Sequence, residues 1–364
     1  MHLTGLINGL LAKNQAFVSY RLPGAAEPFT LLGGFITETT DWQTLEGKAG
    51  FLVAPFVVTN ESPFLFFENA RELRGWQTVI KADEFEFKPL SEKDSRPLPK
   101  SVDFDQYQKQ AHHLVNLLRN GELHKVVLSR VLIESLPERF SSGEFFRELC
   151  EKYPAAFVYL FNDGKGLCWT GATPETLLDS ENGKAHTMSL AGTLPAMKDG
   201  LTGNEWQDKE KEEQIMVTQF IRDMLITSGI MDFIEAPLET RTAGPVVHLL
   251  KRFRFDLPEN ISALQLAMAL HPTPAVCGLP TERALNQIQK TETHNRAYYA
   301  GVIGPVANKH NARLFVNLRC MQIVGKNALI FAGGGLLAES DIEREWQETA
   351  LKAETLLSVI RKFE

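Results

Sequence analysis

What the chain lacks narrows its class before any motif is read. Cysteine is scarce: Cys150, Cys168, Cys277 and Cys320 are the only four among 364 residues, and they stand far apart with no CxxC and no Cys/His spacing suited to zinc. A disulfide framework and a zinc module are excluded, and reduced, buried thiols are expected. Positive charge is not in excess, with 38 Lys and Arg against 45 Asp and Glu and a formal net charge of −7. A general nucleic-acid surface needs a basic footprint to release counterions, so no nucleic-acid partner is expected. No apolar run approaches the roughly 18 residues of a membrane-spanning helix, so no membrane association is expected either. The N-terminus carries Leu3, Leu6, Ile7, Leu10 and Leu11 at helical spacing but lacks a basic leader, a continuous apolar run and a small-residue cleavage site. That pattern predicts a packing helix rather than a secretion signal, and a cytoplasmic protein.

What is present suits a globular protein of one large or two ordinary domains, 44% apolar and 23% charged. The first ninety or so residues mix short β-rich runs (29–32, 50–58 and 63–67) with turns. A polar, proline-broken stretch at 89–100 reads as a surface connection. It divides a divergent N-terminal subdomain, residues 1–100, from a catalytic part, residues 101–364. Beyond it the pattern predicts a helix at 104–120, stopped by Gly121, and a strand at 125–133 buried on both faces. The polar members of that strand, Lys125, Ser129 and Arg130, therefore need a reason to be there. A hairpin is expected at 155–161 and 167–170 around Asn162-Asp163-Gly164, then a strand at 186–191 and a helix at 210–226. A single strand at 313–323 should turn through Gly325-Lys326-Asn327 into another at 328–332, and Ser340-x-x-Glu343 reads as a capping box opening the last helix. Strands arrive in hairpins rather than in βαβ alternation, so the class is α+β with large antiparallel sheets.

The chemistry concentrates in two glutamate pairs, Glu210 with Glu213 and Glu345 with Glu348. A spacing of three puts each pair on one helix face. Brought together, they would make a hard-oxygen cage for Mg²⁺, although either pair alone also fits an ordinary solvated face. Lys125, Arg319 and Lys352 supply cations for an anionic substrate. Lys352, four after Glu348, suits a helical ion pair or a cation facing the same cleft. Lys125 at the mouth of its strand suits a snorkelling lysine or a base tuned by burial or by a cation such as Arg130. Arg319 is expected to share a polar strand face with Arg313 and Asn317. Glu175, after the turn at 171–174, reads as a helix-start carboxylate or a functional one. The run Gly333-Gly334-Gly335 suits a tight bend or an amide nest for an anion. His248, between Val247 and Leu249, is a core histidine or an orienting group.

These segments, in this order, resemble the chorismate-utilising enzymes, and within them the isochorismate synthases. The matching text is Lys125-Val126-Val127-Leu128-Ser129-Arg130, residues 171–175, Leu190-Ala191-Gly192-Thr193, residues 213–217 with Arg222-Asp223, residues 271–276, Leu318-Arg319-Cys320, residues 331–335 and Glu345-Trp346-Gln347-Glu348. It spans roughly residues 104–362.

The resemblance implies sheets packed face to face with helices outside, and Mg²⁺-dependent conversion of the small molecule chorismate to isochorismate. Lys125 matches the base that activates water for attack at C2, and Glu175 the acid that protonates the departing C4 hydroxyl. Glu213 and Glu348 match metal ligands, with Glu210 and Glu345 supporting the ion through water. Arg319, Lys352 and the amides near Gly333 and Gly335 match the grip on the carboxylates. Ala275 and Val276 match ring-side walls, Gly192 and Thr193 positions close to the ring carboxylate, and His248 a neighbour of the C4 hydroxyl. Lys125 together with Ala191 implies water as nucleophile, hence no glutaminase subunit, and a monomer is expected. Salicylate synthase, which goes on to expel pyruvate, is the alternative; Cys277-Gly278-Leu279-Pro280 looks more like the synthases that stop at isochorismate. The product would feed menaquinone or siderophore biosynthesis. Gln214 departs from the pattern, standing where many relatives have histidine.

Overall fold

The β-branched and aromatic runs become the strands of two antiparallel sheets in a computed structural model, which describes residues 2–77, 98–196 and 206–364. The first part supplies α1 (Leu3–Ala12), β1 (Phe17–Arg21), β2 (Phe29–Leu32), β3 (Phe35–Thr39), β4 (Gly50–Ala54), β5 (Phe64–Glu68) and β6 (Arg71–Arg74). Then come α2 (Phe104–Arg119), β7 (Lys125–Ser135), α3 (Ser142–Lys152), β8 (Phe157–Asn162), β9 (Cys168–Thr173), β10 (Thr176–Glu181), β11 (Lys184–Pro195) and α4 (Asp208–Thr227). The third stretch holds β12 (Phe233–Glu235), β13 (Glu239–Ala243), β14 (Val246–Asp256), α5 (Ala263–Leu270), β15 (Gly278–Leu279) and α6 (Thr281–Thr291). It closes with β16 (Val302–Val306), β17 (Ala312–Val316), β18 (Cys320–Val324), β19 (Asn327–Leu336) and α7 (Ile342–Ile360).

One sheet runs β15-β7-β19-β18-β9-β8-β1-β2-β6 and the other β12-β14-β11-β10-β17-β16-β4-β5-β3, with β13 also on β14. Their inner faces meet through aromatic rings: Phe157 of β8 stacks on Phe315 of β17 at 4.1 Å, and Tyr20 of β1 meets Phe51 of β4 at 5.2 Å. Such contacts bury large apolar area and hold the two sheets in one orientation. On the outer face of the first sheet, α1, α3 and α7 bury Leu3, Ile7, Phe145, Phe146, Leu356 and Ile360 against β8 and β19. The α+β class with face-to-face antiparallel sheets and outer helices is therefore as expected. The N-terminal strands are divided between the sheets, β1, β2 and β6 in one and β3, β4 and β5 in the other. Most of the proline-broken connection, residues 89–97, lies outside the described residues. The cysteines are free and buried, and among the described residues no helix is long and apolar enough to cross a membrane.

Three local expectations need correction. The strand expected at 313–323 is two strands: β17 lies in one sheet and β18 in the other, and the chain crosses between them at Asn317-Leu318-Arg319. Asn317 anchors the crossing, its Nδ2 donating to Tyr298 O at 2.8 Å and its Oδ1 accepting from Tyr159 Oη at 2.6 Å. Arg319 takes φ 48 there, while Arg313 turns outward to Glu181 and Asp179, so Arg313, Asn317 and Arg319 do not share a face. The glycine run is not a bend but the interior of β19. The last helix is capped by Asp341, which accepts from the N–H groups of Glu343 and Arg344; the Ser340 hydroxyl serves Leu337 N and Glu345 Oε1 instead. Asp341→Ala should lower the unfolding free energy by about 1 kcal/mol in chemical denaturation. Glu343→Ala should leave it nearly unchanged; the reverse order would restore the original capping box.

Candidate active site

The glycines of β19 leave room for side chains from three elements. A Cβ on Gly335 would lie 2.7 Å from Glu213 Oε1 and 3.1 Å from Lys125 Cε; one on Gly334 would lie 3.1 Å from Glu345 Oε2, and one on Gly333 2.8 Å from Tyr299 Oη. In the β7–β19 ladder, Gly333 faces Ser129 and Gly335 faces Val127. Those two β7 residues send their N–H groups away from β19, to Glu292 Oε1 and Cys277 O. This is the pattern of non-hydrogen-bonded pairs, so the Gly333 and Gly335 amides also point away from β7. There β19 has outrun β18, whose pairing ends at Ile330, and the Gly333 carbonyl accepts from Lys352 Nζ at 2.9 Å. The run thus presents two amides at an open strand edge.

Around that edge α4, α7 and β7 place four carboxylates and three lysines. Lys125, with no exposed surface, has its ammonium 2.9 Å from Glu213 Oε1. The angles fall short of a hydrogen bond, and among the described residues no acceptor completes one with that ammonium. Lys352 pairs with Glu348 at 2.6 Å, and Lys209 with Glu345. Burial works to raise the Glu213 carboxyl, but the ammonium groups of Lys125 and Lys209 outweigh it and hold the group below its usual range. Burial, with Glu348 as a like-charged neighbour, pushes Glu345 up to about 7.

Among the described residues no three carboxylate, imidazole or thiol groups converge as a metal-holding group; Glu213, Glu345 and Glu348 turn to lysines instead. Even so, Oε2 of Glu210 and Oε2 of Glu345 are buried with no hydrogen-bond partner. Polar oxygens left bare in a protein interior are costly, and an all-oxygen donor set is the one Mg²⁺ takes. The residues present therefore fit the ion.

Beside the carboxylates lies a narrow cavity of about 60 Å³ lined by Glu175, Thr193, Glu213, His248, Ala275, Val276, Tyr299, Arg319, Gly333, Gly335 and Lys352. It is not the most spacious hollow: a cavity of about 1100 Å³ lies elsewhere and one of about 660 Å³ adjoins it, sharing Pro174 and Arg319, but neither contains a glutamate–lysine cluster of this kind. Glu175, at the β9–β10 junction, is 3% exposed. Burial pushes its carboxyl up to about 8, against the pull of Lys125 and Lys352. Across the cavity Gly192, at φ 65, forms a bulge in β11, and the His248 ring lies against it. Arg319 Nη2 donates to His248 Nε2 at 3.1 Å, and since arginine only donates, Nε2 carries no proton. His248 Nδ1, 3.1 Å from Gly192 O and 3.2 Å from Thr193 Oγ1, is then the protonated nitrogen. Burial and the charges of Arg319 and Lys352 drive the ring pKa well down, so the imidazole is neutral. Arg319 also donates to Thr355 Oγ1 at 3.0 Å, and burial lowers its guanidinium to about 10. Held by two neutral groups, the guanidinium is free to meet an anion.

All the residues singled out for catalysis, binding or metal are thus gathered around one centre. Two others are not part of it. Arg130 lies on the opposite face of β7 from Lys125, over the Trp346 ring at 3.6 Å and bonded to Thr349 Oγ1, so it does not face the Lys125 ammonium. Gln214 turns to Ser189, whose hydroxyl accepts from Nε2 at 2.8 Å, and so braces α4 on β11. Two residues were missed. Tyr299, stacked on Phe331 at 5.5 Å, lines the cavity, but nothing in its local pattern marks it. Lys209 was signalled only by standing next to Glu210.

The chain is also similar to known proteins. Residues 43–361 match the family described as chorismate binding enzyme. Isochorismate synthase EntC of Escherichia coli (strain K12) is 26% identical over 272 residues, 73% of this chain and 69% of that protein. The putative isochorismate synthase MenF of Mycobacterium tuberculosis (strain ATCC 25618 / H37Rv) is 32% identical over 260 residues, 66% of this chain and 68% of its own. Among solved structures, the putative 2,3-dihydroxybenzoate-specific isochorismate synthase DhbC from Bacillus anthracis superposes with a TM-score of 0.78 at 22% identity, covering 96% of this chain and 97% of that one. At that identity the structural likeness is one of fold.

Glu175 has a measurable consequence for stability. Its carboxyl titrates near 8 in the fold and in the ordinary carboxylate range when unfolded. Both states are protonated at low pH, so stability is lost as pH rises from that range through 8. Glu175→Gln should therefore gain melting temperature relative to the parent between pH 5 and 8.5, by on the order of 2 °C. A constant difference would show that Glu175 ionises freely in the fold.

Proposed function

Because the chain belongs to the chorismate-binding enzymes, we propose that it isomerises chorismate to isochorismate, with Mg²⁺ held between α4 and α7. The observation that carries this reading is a carboxyl kept protonated by burial, Glu175, on the wall of one small cavity, with a fully buried lysine, Lys125, behind the Glu213 and Gly335 of that wall and close enough for its charge to act on Glu175. These are a proton donor and a prospective acceptor, set beside cations suited to a dicarboxylate.

In this reading Arg319, Lys352 and the Gly333 and Gly335 amides take the two substrate carboxylates, a guanidinium and an amide pair each matching carboxylate geometry. Ala275 and Val276 wall the ring. Lys125, having lost its own proton and parted from Glu213, accepts a proton from water as the oxygen bonds to C2. The ring double bonds shift, the C4–O bond breaks, and Glu175 protonates the departing hydroxyl so that it leaves as water. Neutral His248 lines the cavity without adding a charge near the C4 position. Proton return from Lys125 to Glu175 through solvent resets the site, and the net change is an isomerisation.

Glu213 and Glu348 would hold Mg²⁺ directly, with Glu210 and Glu345 supporting it through water; when bound, the ion supplies positive charge opposite the ring carboxylate. At about 60 Å³ the cavity is smaller than the roughly 300 Å³ or more of an ordinary ligand pocket, so it must widen to admit the ring. To meet a substrate carboxylate, Lys352 would part from Gly333 O and Glu348. Lys125 and the absence of a lysine at Ala191 support water as the nucleophile, so no glutaminase partner is needed. Every proposed residue comes from one chain, so a monomer suffices. The product would serve menaquinone or siderophore assembly.

The direct test is incubation with chorismate and Mg²⁺, with the product identified by NMR. Isochorismate without pyruvate is expected; pyruvate and salicylate would replace this reading with salicylate synthesis, and unchanged chorismate would reject both. Lys125→Ala should cut turnover by at least about 100-fold while retaining chorismate binding by calorimetry, and near-parental turnover would remove Lys125 as the base. Since Glu175 must be protonated to act as the acid, turnover should fall as pH rises through about 8. Glu175→Gln should abolish that limb together with most of the rate, and a pH profile unaltered by the substitution would reject the acid role.

A further inference from the structure

Of the three lysines at the glutamate cluster, Lys125 and Lys352 have substrate-side tasks and Lys209 has none. We propose that Lys209 is an internal counter-cation, its ammonium occupying the place of the divalent ion in the metal-free enzyme and having to withdraw before the ion binds. This deepens the Mg²⁺ reading above and rests on it.

Lys209 stands in the first turn of α4, one residue before Glu210, and its ammonium reaches across to Glu345 Oε1 on α7. Its ammonium meets one of the four proposed metal carboxylates directly, Glu345, with the charges of Glu213 and Glu348 near enough to favour it against burial. It answers them incompletely. Oε2 of Glu345 and Oε2 of Glu210, on residues 1% and 7% exposed, stay buried without a hydrogen bond. An ammonium has three donors, whereas Mg²⁺ accepts oxygens octahedrally at about 2.1 Å, so the bare oxygens mark a site built for a denser cation than lysine. Lys209 also has somewhere to go. It lines a cavity of about 430 Å³ between the starts of α4 and α7, whose wall includes Glu339 and Asp341, two acids outside the metal set.

An ammonium in the metal's place sets the affinity as a difference, because the carboxylates must release one cation to gain the other. The test is Mg²⁺ binding to the substrate-free protein, read by calorimetry and by the metal-induced rise in melting temperature. Lys209→Met should melt below the parent without metal and bind Mg²⁺ at least about tenfold tighter, since like charges a few ångströms apart in a buried site repel strongly. Lys209→Gln should follow Met, and Lys209→Arg, which keeps the charge, should not tighten binding. Lys211→Met, an exposed neighbour on α4, should match the parent. Equal or weaker Mg²⁺ binding by both neutral variants overturns the counter-cation role. If the parent nevertheless binds Mg²⁺ or needs it for turnover, the metal reading itself stands. If no variant binds the ion and turnover ignores it, both fall together.

Discussion

A buried charge persists only where another answers it, and the centre of this protein is organised by that requirement. Lys125 has no exposed surface, and Glu213 is the carboxylate that reaches its ammonium. Removing one partner of such a pair strands the other in a low-dielectric interior, at a cost of about 3–5 kcal/mol. The same need links Lys352 to Glu348 and Lys209 to Glu345, so α4, α7 and β7 are tied together by charge where they converge. The convergence is possible because β19 has no side chains at Gly333, Gly334 and Gly335; a Cβ there would meet the carboxylates or the Tyr299 hydroxyl. Small residues in the strand and charged residues on the helices are two halves of one packing solution.

The second organising feature is the crossing of the chain from β17 to β18. A continuous strand would have kept Arg319 in one sheet and on the same face as Arg313 and Asn317. Breaking it, with Asn317 bonded to Tyr298 and Tyr159, delivers Arg319 to the wall of the site cavity. There the guanidinium donates to His248 and Thr355, two neutral groups that orient it without cancelling its charge. The His248 tautomer follows from that contact, because a guanidinium offers only donors and leaves Nε2 to accept. One backbone reversal thus sets the direction of a cation and the protonation of the ring beside it.

Much of this was legible in the chain itself wherever the physics is local. Helical periodicity put Glu210 with Glu213 and Glu345 with Glu348 on single faces, and α4 and α7 present them so. The hairpin at β8 and β9 followed from a turn between two β-rich runs, and the buried run of β7 announced that Lys125 sat where a lysine needs a reason. The break at 317–319 was not legible, because strand-forming residues continue through it and only the demands of two sheets interrupt them. The cap at Asp341 was misplaced by one residue, since Ser340 and Asp341 both suit the position and Ser340 is drawn off by Glu345.

What the sequence determined by itself was therefore the inventory and its local spacing: which residues carry charge, which helix face they share, and where glycine leaves a strand bare. Only the tertiary structure decided which lysine meets which glutamate, that Tyr299 joins the cavity wall, and that two carboxylate oxygens remain unanswered. Apart from the helical pair of Lys352 with Glu348, these are relations between segments distant in the chain, 136 residues for Lys209 and Glu345. Their distances are set by how two sheets and their helices pack, and no periodicity within one segment encodes the position of another.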